Sequence, residues 1–148
     1  MLFHAYLRDG IVYVPTVAMR EGGPVYTDIE PVAVVPATNT EAVRRALLDA
    51  IARKNIVVPV PKGKWPAPVL LKYAGVRSWS AFARTASLWS IEEERGVYQI
   101  VGYRKHPKGY WEQDTGQKTH FPPGATVDDV VSRMITILRE AAQRRNPD

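Results

Sequence analysis

Val127, Val130, Val131, Met134, Leu138 and Ala141 recur at the three-and-four spacing of one helix face, and nothing else in this sequence restricts its fold as much. A helix with a single apolar stripe must lay that stripe on an apolar surface supplied from outside itself. The pattern predicts a helix over Thr126–Arg144. Asp128 and Asp129 lie in its first turn and Arg139, Arg144 and Arg145 toward its end, where the helix dipole favours acids and bases respectively. A second stripe, Val43, Leu47, Ala50 and Ile51, predicts another helix over Thr38–Lys54, with Arg44, Arg45, Asp49 and Arg53 facing away. Thr38-Asn39-Thr40-Glu41 reads as its capping box, Thr38 as N-cap and Glu41 at N3. Asn55 reads as its stop.

The surface these helices need is a sheet. Leu2–Arg8 and Ile11–Pro15 flank Asp9-Gly10, a strong hairpin signal because a type I′ turn needs positive φ at both central residues. On the first strand His4, Tyr6 and Arg8 share the more polar face, and Phe3, Ala5 and Leu7 the other. Glu21-Gly22-Gly23-Pro24 predicts a second turn, and Val25–Val35 a third strand in which Pro31 requires an edge position or a bulge. Ser87–Glu93 and Val97–Lys105 read as a second hairpin joined through Glu94-Arg95-Gly96. Tyr110–Gln113, a turn at Asp114-Thr115-Gly116 and a short run to Phe121 complete the strands. Between the two β regions, Ile56–Pro68 carries four prolines and reads as an extended ordered loop. Val69–Ala74 and Ser78–Thr85 read as short helical turns either side of Gly75, with Ser78 as N-cap. No repeat or composition shift divides the chain, and 148 residues is a common single-domain size. The expected fold is α+β: one domain over 1–148, an antiparallel β-sheet of five to seven strands covered by two main amphipathic helices.

Several function classes are excluded or unsupported. With no cysteine in the chain, disulfides, Cys-ligated metal centres and thiol nucleophiles are absent. The N-terminus lacks the basic-then-apolar pattern of a signal peptide, and the longest apolar runs are four or five residues, far short of a membrane span. A soluble cytoplasmic protein is expected. No phosphate-binding glycine loop or serine elbow occurs, since Gly22-Gly23 leads into Pro24 and a strand. His4, His106 and His120 have no metal-ligand spacing, and His4 and His106 read as packing or turn residues. His120, in Lys118-Thr119-His120-Phe121, is the best remaining general base, but no second acid or base accompanies it. Glu92-Glu93-Glu94 reads as solvated edge charge. No catalytic residue, metal site or cofactor is expected.

Charge is segregated. Residues 1–40 hold Arg8 and Arg20 against Asp9, Glu21, Asp28 and Glu30, whereas residues 50–91 hold seven basic residues and no acid. That distribution favours an acidic partner, either nucleic acid or protein. Aromatic residues interleave with the basic ones, and the expected partner-binding residues are Lys62, Lys64, Trp65, Lys72 and Arg77. Trp and Arg suit protein hot spots, and the same mixture suits stacked single-stranded nucleic acid. Trp79, Phe82 and Trp89 read as core. Trp65, between Lys64 and Pro66, is either tucked down as an anchor or presented to a partner.

The block Leu70-Leu71-Lys72-Tyr73-Ala74-Gly75-Val76-Arg77-Ser78-Trp79-Ser80-Ala81-Phe82, with Trp89-Ser90-Ile91-Glu92 and the run to Tyr103-Arg104-Lys105, resembles small proteobacterial proteins. Some of these are similar to immunity proteins of contact-dependent growth-inhibition systems. The resemblance covers about a third of the chain. It implies a cytoplasmic, non-catalytic protein that binds the C-terminal toxin domain of a large exported effector and blocks its active site. This chain is basic where immunity proteins against nucleases are often acidic, which fits an acidic toxin surface or an allosteric mode. The alternative is a small basic nucleic-acid-binding protein, and a third reading is a ribonuclease.

Overall fold

A computed structural model describes residues 1–145; residues 146–148 of the expected domain, and the Arg145 side chain, lie outside the described residues. Elements follow in the order β1 (Leu2–Arg8), β2 (Ile11–Arg20), β3 (Tyr26–Pro36), α1 (Thr40–Ala52), β4 (Val57–Val58), α2 (Leu70–Ala74), α3 (Trp79–Thr85), β5 (Ala86–Glu94), β6 (Val97–Lys105), β7 (Trp111–His120) and α4 (Val127–Arg145). The α+β expectation holds. One seven-stranded sheet runs β3-β2-β1-β5-β6-β7, its neighbours antiparallel, and β4 adds a two-residue parallel pairing to the end of β2.

The two long helices cover one face. Phe3, Ala5, Leu7, Val12 and Val14 of the sheet meet Val43, Leu47, Ala50 and Ile51 of α1 and Val130, Val131, Met134 and Leu138 of α4 in a single cluster. Arg44 on α1 donates to Ser132 Oγ on α4 at 3.1 Å. The cap of α1 differs from expectation: Ala42 N donates to the Asn39 side chain, so Asn39 is the N-cap and Thr38 is not. Asn is the stronger N-cap of the two, its side-chain oxygen accepting from the N3 backbone N–H. At α4, Thr126 and Asp129 cap one another, each side chain accepting from the other's backbone N–H.

The other face is covered too, which the alternation on β1 did not suggest. Tyr6 and Tyr13 lie under α2 and α3, packed with Leu70, Leu71, Phe82 and Leu88. The face holding His4, Tyr6 and Arg8 is therefore not a solvated one; Tyr6 is 3% exposed. Tyrosine can serve as core when its hydroxyl finds a partner. Ser78 caps α3 as expected, and Gly75 ends α2 in the left-handed region, at φ 68°.

Two strands exceed their expected bounds. β2 does not stop at Pro15 but continues to Arg20, paired with Tyr26–Ile29 beyond an irregularity at Pro15/Thr16. Opposite it, Glu30 and Pro31 are the extra residues of β3, so Pro31 sits both on an edge strand and in a bulge, and Thr16 Oγ1 donates to its carbonyl. β7 is one strand rather than two short runs. The Asp114-Thr115-Gly116 turn signal produces a bulge within it, where Asp114 accepts from Gly116 N and Gln117 Nε2. Gly102 faces this bulge; a Cβ there would meet Gln117 Cβ at 2.7 Å.

β1 and β2 pair only from Tyr6↔Tyr13 to Arg8↔Ile11, and then fork. Asn55, after α1, fills the fork: its amide exchanges two hydrogen bonds with the Leu2 backbone and donates a third to Val17 O. This fork and the bulge at Pro31 allow the far half of the β2–β3 ribbon to curl over β1.

Candidate functional site

The curl of β3 makes a cleft of about 880 Å³ between Tyr26–Glu30, the floor residues His4 and Tyr6, and a wall formed by Trp65–Lys72 with Val76, Arg77 and Trp79. At its floor Asp28 joins two residues of β1. His4 Nδ1 donates to Asp28 Oδ1 at 2.7 Å, and Tyr6 OH donates to Asp28 Oδ2 at 2.6 Å. Burial first, and then the neighbouring Asp28 carboxylate, push the Tyr6 phenol well above the ordinary tyrosine range, so Tyr6 stays a donor. Behind it, Tyr6 meets the rings of Trp79, Phe82 and Trp111 at 5.7–6.0 Å.

At the outer lip, Arg20 organises the proline-rich loop. Its guanidinium lies 5.0 Å from the centre of the Trp65 ring, donates to Pro59 O at 2.9 Å and reaches Thr27 Oγ1 at 3.4 Å. Its Nε is buried and has no partner among the described residues. Trp65 is thus presented rather than tucked away: 54% of it is exposed. Ile56, Val57 and Val60 are also exposed, on β4 and the start of the loop. Met19 N donates to Ile56 O and Glu21 N to Val58 O, so this apolar stretch is fixed to the same end of β2 as Arg20.

Of the residues expected from sequence, Trp65, Lys72 and Arg77 line the cleft, and Lys62 and Lys64 do not. The two lysines are exposed at the tip of the loop, either side of Gly63 at φ 91°. Lys72 is engaged within the protein, its Nζ 2.6 Å from Glu30 Oε1, and Tyr73 OH donates to the other oxygen of Glu30. This network fastens α2 to β3 and closes one end of the cleft. Arg77, exposed between α2 and α3, has no ion-pair partner among the described residues. Trp79 forms part of the cleft wall, while Phe82 and Trp89 are core as expected.

Sequence reasoning missed His4, Asp28, Tyr6 and Arg20 as members of one site. Asp28 within β3 was the available signal, since an acid turned inward from a strand needs a partner. The remaining histidines lie elsewhere. His106 stacks on Tyr110 at 4.4 Å, and His120 lines a second cavity, of about 840 Å³, with Glu92, Glu93, Glu94 and Arg95, where acids outnumber bases. Within that run the Glu92 side chain accepts from Gln99 and Gln113 and that of Glu93 from Gly96 N, while the Glu93 backbone carbonyl accepts from the amino group of Met1. Among the described residues no group of three or more His, Asp or Glu is placed to hold a metal ion, and no helix is long and apolar enough to cross a membrane.

The Glu30 network gives a first prediction. Hydrogen bonds from Lys72 and then Tyr73 lower the Glu30 pKa below its ordinary value, and Glu30 raises that of Lys72. A depressed carboxylate pKa favours the fold above the unfolded-state value and ceases to do so as pH falls through the folded-state value. In a carbon-detected NMR titration, Glu30 should titrate below an ordinary glutamate. Lys72→Met should move it upward more than Tyr73→Phe does. An ordinary midpoint in the parent protein would show that the network does not form in solution.

No protein-family model and no curated protein matches the sequence. Among solved structures, a protein of unknown function from Neisseria meningitidis shares the fold. It superposes with a TM-score of 0.65 over 95% of this chain and 93% of that one, at 11% sequence identity.

Proposed function

We propose that this protein is a non-catalytic binding module that docks a protein partner on the lip formed by Trp65, Arg20 and the exposed aliphatic residues of β4. The observation that carries this reading is a half-exposed tryptophan held over a fixed guanidinium, with Ile56, Val57 and Val60 exposed on the segment that pairs with the same end of β2. A rigid aromatic with an apolar surround is the composition of an interface centre, and Lys62, Lys64 and Arg77 supply a basic rim. Such a rim speeds association with an acidic face and selects against basic ones. The partner we assign, from the resemblance of the Leu70–Phe82 block to immunity proteins, is the toxin domain of a contact-dependent growth-inhibition effector, bound and neutralised in the cytoplasm. Prolines around Trp65 lower the entropy lost on docking.

The test pairs binding with stability. Trp65→Ala should weaken binding of the toxin domain encoded beside this chain by about 2 kcal/mol or more, measured by calorimetry, with the unfolding midpoint unchanged. Loss of stability with binding intact would make Trp65 a structural residue and move the docking face. Failure of the intact protein to protect cells from that toxin would remove the immunity reading altogether.

Exposed Lys62 and Lys64 just before an exposed Trp65 also favour a second reading, stacking of single-stranded nucleic acid. That reading expects affinity for single-stranded RNA to fall steeply with salt, and replacement of Lys62 and Lys64 to flatten the slope. No binding at low salt removes it. The aliphatic surround favours protein, since nucleic-acid surfaces are polar and strongly cationic.

A further inference from the structure

Every carboxylate oxygen in the cleft is already taken. Both oxygens of Asp28 accept from His4 and Tyr6, and both of Glu30 accept from Lys72 and Tyr73. Lys72 is spent on Glu30, but the two arginines of the cleft are in the opposite condition. Arg20 is anchored only to neutral groups, the Pro59 carbonyl, the Thr27 hydroxyl and the Trp65 ring. Its Nε–H is buried with no acceptor, a rare condition in folded proteins and one that calls for an explanation. Arg77 lines the same cleft and has no ion-pair partner among the described residues. Among the charged side chains of this cleft, those without a charged partner are therefore the two guanidinium groups. Its walls, by contrast, are largely apolar, with Trp65 and Trp79 the largest surfaces, and its volume of about 880 Å³ falls in the range of small-ligand sites.

We propose that the cleft binds an oxyanion, a carboxylate or phosphate, carried on an apolar or aromatic body. The Arg20 and Arg77 guanidinium groups receive the anion, and the Trp65 and Trp79 side receives the body. Guanidinium groups suit this role because their forked N–H donors match the oxygens of carboxylate and phosphate. A cationic ligand is disfavoured, since no carboxylate in the cleft is free to meet it. Arg20 is held on three sides before any ligand arrives, so little side-chain entropy remains to be lost. This site does not depend on the protein-docking reading, because a small molecule probes it without any partner.

The probe is phenyl phosphate, titrated into the intact protein by calorimetry and by NMR of the arginine Nε–H groups. Saturable binding is expected, with the Arg20 Nε–H resonance shifting. Inorganic phosphate should bind about tenfold more weakly or worse, because it leaves the aromatic wall unused. Benzyl alcohol, which lacks the charge, should not saturate. Arg20→Met and Arg77→Met should each weaken phenyl phosphate about tenfold, whereas Arg139→Met, exposed on α4 across the sheet, should change it less than twofold. Arg77 is exposed, so Arg77→Met keeps the test decisive even if Arg20→Met disturbs the loop. Phenylacetate as a parallel probe separates a carboxylate source from a phosphate one, and saturation by either carries the proposal. Equal binding of phenyl phosphate and inorganic phosphate, weakened as much by Arg139→Met as by Arg77→Met, would overturn it in favour of diffuse attraction to a basic surface. Saturation by benzyl alcohol, or an unmoved Arg20 Nε–H, would overturn it as well.

Discussion

Phe82→Ala should lower the unfolding free energy by about 3–5 kcal/mol, the largest single-residue effect expected in this protein. Phe82 is 0% exposed. Its ring meets Tyr6 and Tyr13 edge-on at 5.7 Å each and stacks on Trp79 at 5.2 Å. Aromatic contacts of this kind add about 0.5–1.5 kcal/mol beyond area burial. Truncation removes all three and leaves a void beneath a seven-residue helix that has few other means of holding to the sheet. Chemical denaturation measures the loss directly. An unchanged midpoint would mean that α2 and α3 do not belong to the cooperative unit, and the cleft they wall would then have no fixed shape.

Leu138→Ala probes the opposite face and should cost about 2–5 kcal/mol. Leu138 is 1% exposed and lies among Val130, Val131, Met134 and the α1 stripe. The size of the loss within that range depends on how far α4 can settle into the gap. The two substitutions lie on different faces of one sheet, so their effects should add within about 0.5 kcal/mol. A large departure from additivity would show the faces to be coupled through the sheet. Leu138→Ala with no effect on the midpoint would mean that α4 is not packed on the sheet in solution.

The contrast between these residues shows what the sequence made legible. The α4 stripe is periodic, so its buried residues could be read in order from local spacing alone. The α1 stripe was equally clear, and only its cap moved by one position, because Thr38 and Asn39 are both good caps and the choice rests on backbone geometry. The second layer left no such periodic trace. α2 and α3 are too short for a period to repeat, and the face of β1 beneath them is built from His4, Tyr6 and Arg8, residue types that also suit a solvated surface. Trp65, Lys72 and Arg77 were legible as site residues because the basic and aromatic composition of their segment is local. Asp28 and Arg20 were not, since their meeting with β1 and the loop depends on the fork at Tyr13 and the extra residues at Pro31. Those are departures from regular pairing. The prolines marked where irregularity was expected, but not which way the ribbon would bend.

The pairing of β1 also bears on the order in which the chain can fold. β1 has two neighbours of unequal extent: β2 holds it only from Tyr6 to Arg8, whereas β5 holds all of it, from Leu2↔Glu92 to Arg8↔Ala86. Its full-length partner therefore lies far along the chain, across a large loop that must close before the pairing is gained, and such non-local contacts slow folding. The β2–β3 ribbon and the β5–β6 hairpin can form early as local units. The centre of the sheet must wait until they meet, so refolding should be limited by one late joining step. Ribosomes emerging with only the first 80 residues would display β1 with most of its length unpaired, an open edge of the kind that chaperones recognise and that invites misassembly.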